Sequence, residues 1–219
     1  MKKFFVLISC ITSLNTFSQT ITELKFPYQK GYHMHFKGTE TQYTNGGGKT
    51  VLNSETYYDI QSGTNLNGMQ TVVFQSKFIS GKDTTFDNSP LSVNENGMCY
   101  WFPSDKGGYQ KPVWAIKLPL TEGSQWKCTY NGHKANCRVV SLNTKVNTPM
   151  GEKEAICIET VVHLGWQNGY EQIEKILDFY NQDLGKVQIT ISFMWQSKDG
   201  KKTIPTMVID EILQDVSGK

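Results

Sequence analysis

The sequence predicts an all-β protein built as a single antiparallel β domain, and three observations carry that expectation. Aromatic residues make up 12% of the chain, Gly, Asn, Thr and Ser are abundant, and long runs of Ala, Leu, Glu and Lys are missing, a balance that favours strands and turns. Turn signals recur at strand-length spacing: Asn45-Gly46-Gly47-Gly48, Asn67-Gly68, Ser80-Gly81-Lys82-Asp83, Asn96-Gly97, Asn131-Gly132, Pro149-Met150-Gly151 and Lys198-Asp199-Gly200. Such spacing belongs to consecutive hairpins. No alternation of strand and helix patterns appears, which excludes a parallel sheet.

The first element is not part of the sheet. Lys2 and Lys3 form a positive head, residues 4–11 an apolar run, and Thr16-Phe17-Ser18 a small-residue exit, so 1–18 reads as a secretory signal peptide cleaved before Gln19. Lipid attachment at Cys10 is the alternative, with too few apolar residues ahead of it for a normal hydrophobic region. Polar Ser9, Thr12, Ser13 and Asn15 break the run well short of the roughly 20 residues of a membrane span. The protein is therefore expected outside the cytoplasm, in the periplasm, the outer envelope or the extracellular medium.

Residues 19–219 are expected to form one domain. Tyr32, Met34 and Phe36 alternate with His33, His35 and Lys37, giving one buried and one wet face. Strand-like runs follow at 50–60, 71–79, 98–102, 126–130, 137–142, 155–164, 187–193 and 206–213. The Gly- and Pro-rich stretch 107–112 is the expected seam between an amino-terminal and a carboxy-terminal meander. In 170–180, Tyr170, Ile173, Ile176, Leu177 and Tyr180 fit a helical stripe, and Glu171 precedes Lys175 by one turn, so local preference there is helical.

The net charge of +2 is nearly balanced and the lysines are scattered along the chain, so neither nucleic acid nor an anionic membrane is implied as a partner. Four cysteines follow the leader: Cys99, Cys128, Cys137 and Cys157. Cys128 and Cys137 flank Asn131-Gly132. A two-residue turn would leave them diagonal, whereas a four-residue loop over 131–134 would set them opposite. The expectation is the longer loop and a Cys128–Cys137 disulfide, as export allows.

Few residues suggest chemistry. His33 and His35, two apart on a strand, share a face and could begin a metal site completed by His133, His163, Glu55 or Asp59, but a wet outer face opposite Tyr32, Met34 and Phe36 explains them better. Glu171, Glu174 and Asp178 could be paired acids for glycoside cleavage, but a solvated charged face explains them better. No nucleophile elbow, zinc-protease helix or phosphate loop is present, so no catalytic residue, metal site or cofactor is assigned. The bulky set Tyr100, Trp101, Phe102, Trp114, Trp126, Trp166, Phe193 and Trp195 either fills a core or lines a concavity for an apolar ligand, with core the expectation.

Three landmarks follow in order: Leu118-Pro119-Leu120-Thr121-Glu122-Gly123-Ser124-Gln125-Trp126, then Thr148-Pro149-Met150-Gly151 with its flanks, then Tyr180-Asn181-Gln182-Asp183-Leu184-Gly185-Lys186-Val187. Over residues 115–193 this resembles a widespread group of uncharacterised secreted proteins of Bacteroidetes-type bacteria. The resemblance implies an antiparallel half-barrel like that of periplasmic lipoprotein carriers, and it makes 170–180 a strand leading into the Leu184-Gly185 turn. The chain departs from that pattern in Asp183-Leu184-Gly185-Lys186 and in its cysteines, and no functional residue is carried over. The expected function is non-enzymatic binding of a lipid or other hydrophobic ligand in the concave sheet. A carbohydrate-binding or adhesion module, and a metal-assisted hydrolase built on His33 and His35, are the alternatives.

Overall fold

The computed structural model describes residues 19–44, 46–103, 107–109, 111–130 and 132–218. The expected signal peptide and Cys10 lie outside the described residues. The twelve strands are β1 (His33–Tyr43), β2 (Lys49–Leu66), β3 (Met69–Ser80), β4 (Asp83–Asn94), β5 (Gly97–Tyr100), β6 (Val113–Lys117), β7 (Gln125–Tyr130), β8 (His133–Thr148), β9 (Gly151–Gln167), β10 (Tyr170–Asn181), β11 (Gly185–Ser197) and β12 (Thr203–Ser217). No helix occurs among the described residues. All strands belong to one antiparallel sheet in the order β6-β5-β4-β3-β2-β1-β12-β11-β10-β9-β8-β7. Two six-stranded meanders are thus joined by the β1–β12 ladder, which runs from His33 opposite Ser217 to Gln42 opposite Met207.

The sheet curls until its edge strands meet. No ladder joins β6 to β7, but the Trp126 indole N–H donates to the Trp114 carbonyl at 2.7 Å across the gap. Strong curvature demands residues without side chains where backbones converge. At Gly38 in β1 a Cβ would stand 1.7 Å from the Asp210 carbonyl oxygen of β12, so only glycine fits. The meander boundary falls at 118–124, between β6 and β7. The expected seam at 107–112 is instead a loop within the first meander, because β5 and β6 pair on either side of it.

Residues 170–180 form β10. Its stripe of apolar residues has helical spacing, yet isolated propensity is weak against a ladder on both sides: β9 and β11 bind it from Tyr170 to Tyr180. β4 and β6 carried no clear alternation. β4 holds Pro90, and its stretch from Asp83 to Pro90 pairs only with β3, as an edge strand with a proline does.

The chain ahead of β1 fills one mouth of the curled sheet. Ile21 exchanges two backbone hydrogen bonds with Leu120, at 2.9 and 2.8 Å. Leu24, Phe26 and Tyr28 then join the apolar core. Phe26 stacks on Tyr180, Tyr28 meets Phe74 edge-on at 4.8 Å, and the Tyr32 hydroxyl donates to the Leu184 carbonyl at 3.2 Å. This strap crosses the end at which β2–β3, β4–β5, β6–β7, β8–β9 and β10–β11 turn. The other connections lie at the far end.

Candidate functional site

Between the strap and the far end the curled sheet is hollow. A cavity of about 460 Å3 is bounded by Met34, Phe74, Ile189 and Ile191, by the phenol rings of Tyr28, Tyr58, Tyr100 and Tyr130, and by Ser76, Asp87, Asn88 and Ser89 on the side of the β4 edge. Trp101, Phe102 and Pro103, in the loop after β5, complete that side. Trp101 is wholly buried and its indole N–H donates to Ser92 Oγ at 3.1 Å, while Phe102 packs edge-on against Tyr130. A smaller hollow of about 100 Å3 shares Tyr100, Tyr130, Ile189 and Ile191 and reaches Cys128, Cys137, Glu174 and Asp178.

Lys186 stands on both hollows, and a defect in strand alternation puts it there. In the β10–β11 ladder Phe179 faces Gln188 but Tyr180 faces Lys186, which leaves Val187 as an extra, bulged residue. A bulge of one residue re-aims its neighbour to the opposite face. Lys186 therefore points inward beside Tyr180 instead of outward with Gln188. Its Nζ lies 2.7 Å from Asp178 Oδ1, both side chains being nearly nine-tenths buried. The Lys186 backbone N–H donates to the Tyr28 hydroxyl at 2.8 Å, tying the strap to the same residue. Burial pulls the Lys186 pKa down, but the adjoining Asp178 carboxylate outweighs it and holds that pKa well above the usual lysine range.

The phenols are held neutral. Burial pushes Tyr58 up to about 12 and lifts Tyr28, Tyr130 and Tyr180 as well, so each remains a hydrogen-bond donor across the physiological range. The buried Tyr180 hydroxyl adjoins the Tyr100 phenol. Glu174, inward-facing on β10, is also raised by burial. Glu174 and Asp178 thus sit on the inner face, not on the solvated one expected of them. Glu171 does point outward, to His163 Nδ1 at 3.0 Å.

The histidines lie elsewhere. His33 and His35 occupy the outer face of β1, opposite buried Met34 and Phe36, in agreement with the alternation of that segment. His33 pairs with Asp59. His35 stacks on Tyr57 with rings 4.3 Å apart and lies 3.3 Å from Asp215 and 3.5 Å from Glu55. His163 belongs to a separate patch on β9 with Glu171 and Asn136, and His133 begins β8. Among the described residues no group of three or more His, Cys, Asp or Glu could hold a metal ion.

Cys128 and Cys137 line the smaller hollow with their sulfurs 3.7 Å apart, as thiols. The hairpin between them has a two-residue turn, because Tyr130 pairs with His133 and Cys128 with Ala135. This corrects the four-residue loop: the cysteines are diagonal neighbours on one face, and it is side-chain reach that brings the thiols together. The bulky residues divide between roles. Trp101 is core, Tyr100 and Phe102 line the cavity, and Trp166 is 57% exposed.

No family model matches this chain, and no curated protein or solved structure is similar to it.

Proposed function

We propose that this is an exported, non-enzymatic binding protein whose curled sheet holds a small amphiphile, a lipid or lipid-like molecule, in its lumen. The observation that carries the reading is the hollow beside the strap, with an aromatic and aliphatic wall and one buried ion pair on its floor. Its volume falls in the range of about 300 to 1,000 Å3 usual for small-molecule sites, and its wall is divided between apolar side chains and hydroxyl, amide and charged groups, as an amphiphile requires. Met34, Phe74, Ile189 and Ile191 offer the apolar part, worth about 0.8 kcal/mol for each methylene group removed from water.

The polar part meets Lys186 and the tyrosine hydroxyls. An ammonium has three donors, and Asp178 occupies one direction. Because Asp178 already neutralises Lys186, a carboxylate ligand would add an unpaired buried charge, and a neutral head rich in acceptors is the better fit. Ser76, Asp87, Asn88 and Ser89 along one wall suit hydroxyls of such a head, and the Asp87 carboxylate disfavours an anionic one, which favours a sugar-bearing or glycerol-bearing lipid and gives the carbohydrate reading its one supporting observation. Kinship with the half-barrel lipoprotein carriers belongs to the same proposal.

Native mass spectrometry of protein purified from its own envelope, together with displacement of an environment-sensitive hydrophobic dye from delipidated protein, tests the reading. A co-purified amphiphile, and dye displaced by monododecanoylglycerol but weakly by dodecanoate, are expected. Absence of both a bound molecule and dye binding in the folded protein would refute it.

A further inference from the structure

The hairpin turns sort charge and apolar surface to opposite ends of the sheet. Described connections at the far end hold Lys82, Lys111, Lys198, Lys201 and Lys202 against Asp199, and the strand starts beside them carry exposed Lys49 and Lys134 against Asp83. Connections at the strap end hold Glu95, Glu122 and Asp183 and no lysine, while the strap itself carries Glu23, Lys25 and Lys30. Large apolar side chains follow the lysines. Tyr43, Val51, Phe86, Trp166 and Ile204 are exposed by 39, 52, 75, 57 and 37%, and every one lies on the far half of its strand. Tyr109, in the 101–112 loop, and Val140 are the other exposed large apolar residues among those described. At the inner rim Tyr170, Trp195 and Ile204 line an almost wholly apolar cleft, with Lys202 Nζ 5.8 Å from the Tyr170 ring centre.

Exposed aromatic and aliphatic residues interleaved with lysines form the signature of a surface that enters a membrane interface, rings at headgroup depth and ammonium groups on phosphates. We infer that the far end of the sheet is a docking surface for an anionic lipid bilayer. Charge and apolar complementarity together select this occupant: a second copy docked far end to far end would bring lysines against lysines, the acidic strap end of a second copy offers no exposed large apolar residue among those described to match the tips, and a nucleic acid would have no use for the aliphatic tips. The inference stands on the rim residues alone and does not depend on what fills the lumen.

Co-sedimentation of residues 19–219 with phosphatidylcholine vesicles, with and without phosphatidylglycerol, tests it. Binding is expected only with phosphatidylglycerol, weakening as salt is raised. The triple variant Lys198→Glu, Lys201→Glu, Lys202→Glu, all in an exposed turn, should weaken binding more than about tenfold with an unchanged far-ultraviolet spectrum. Brominated acyl chains should quench tryptophan emission in the parent protein and less in Trp166→Ser, whereas Glu95→Gln at the opposite end should change neither readout. Equal binding to both vesicle types, an unaffected triple variant, or a concentration-dependent dimer in place of vesicle binding would overturn it.

Discussion

The two ends of the curled sheet differ in what fills them. At the strap end Leu24, Phe26 and Tyr28 are drawn from outside the sheet and packed on Tyr180, Phe74 and Leu184, so the lumen there is solid. Toward the far end no described segment takes that place, and the wall encloses space lined by phenols and one ion pair. A wall of strands that nearly closes leaves an interior that the side chains of the wall alone do not fill. Packing is thus divided along the sheet axis: the strap secures one end, and the open volume lies toward the other.

The largest expected effect breaks the strap. Gly185 sits at φ 74° in the β10–β11 turn, and a Cβ there would stand 2.3 Å from the Tyr28 ring. Gly185→Val should therefore expel Tyr28 and strain the turn together, and Tyr28→Ala alone should lose about 3 to 5 kcal/mol in urea unfolding. Phe86→Ala at the far end should stay within about 0.5 kcal/mol. Equal losses at both ends would erase the distinction.

Next comes the floor of the hollow. Lys186→Met leaves Asp178 buried and unpaired, and about 3 to 5 kcal/mol should be lost, while Lys186→Met combined with Asp178→Leu should recover most of it. A neutral single variant would mean that water reaches the pair freely.

Alkali should act on the tyrosines that join the two regions. Tyr32 and Tyr58 titrate near 12 in the folded protein because they are buried, against 10 when unfolded. A raised folded value means that stability is complete below pH 10 and falls above it, by at most about 1.4 kcal/mol per pH unit for each such group. Stability measured from neutral to strongly alkaline pH checks this. A flat profile would place these phenols in water.

The smallest effect concerns Glu211, midway along β12. Its Oε2 accepts from Thr56 at 2.6 Å and Ser54 lies beside it, yet burial outweighs both and raises its pKa above the usual 4.5. The raised value costs stability once pH passes the unfolded pKa, so Glu211→Gln should stabilise by about 1 kcal/mol near neutrality and by nothing in acid. A loss at neutral pH would show that the ionised carboxylate has partners of its own.

Much of the wall was legible in the chain. Each Asn-Gly or Gly-rich signal falls between strands, since a left-handed turn residue is a local requirement that local sequence must meet. The face of β1 was equally readable, because one wet and one buried side impose alternation on the residues themselves. β4 and β6 were missed: β4 is largely exposed along Asp83–Asn88 and holds Pro90, and β6 has only five residues, Val113–Lys117, too few to carry a pattern. The site was barely legible. Lys186 follows a turn glycine as any surface lysine does, and only the bulge at Val187 turns it inward.

Class, hairpin order and the alternation of faces are thus properties of the sequence by itself, because each depends on neighbours within a few residues. Tertiary structure alone decided three things. It chose strand over helix at 170–180 by offering ladders on both sides. It put Asp178 and Lys186 together, since partners in adjacent strands are set by register and a single extra residue reverses a face. It also gathered lysines scattered along the chain at one end of the sheet, because an antiparallel meander brings alternate turns to the same end and so converts sequence spacing into a surface.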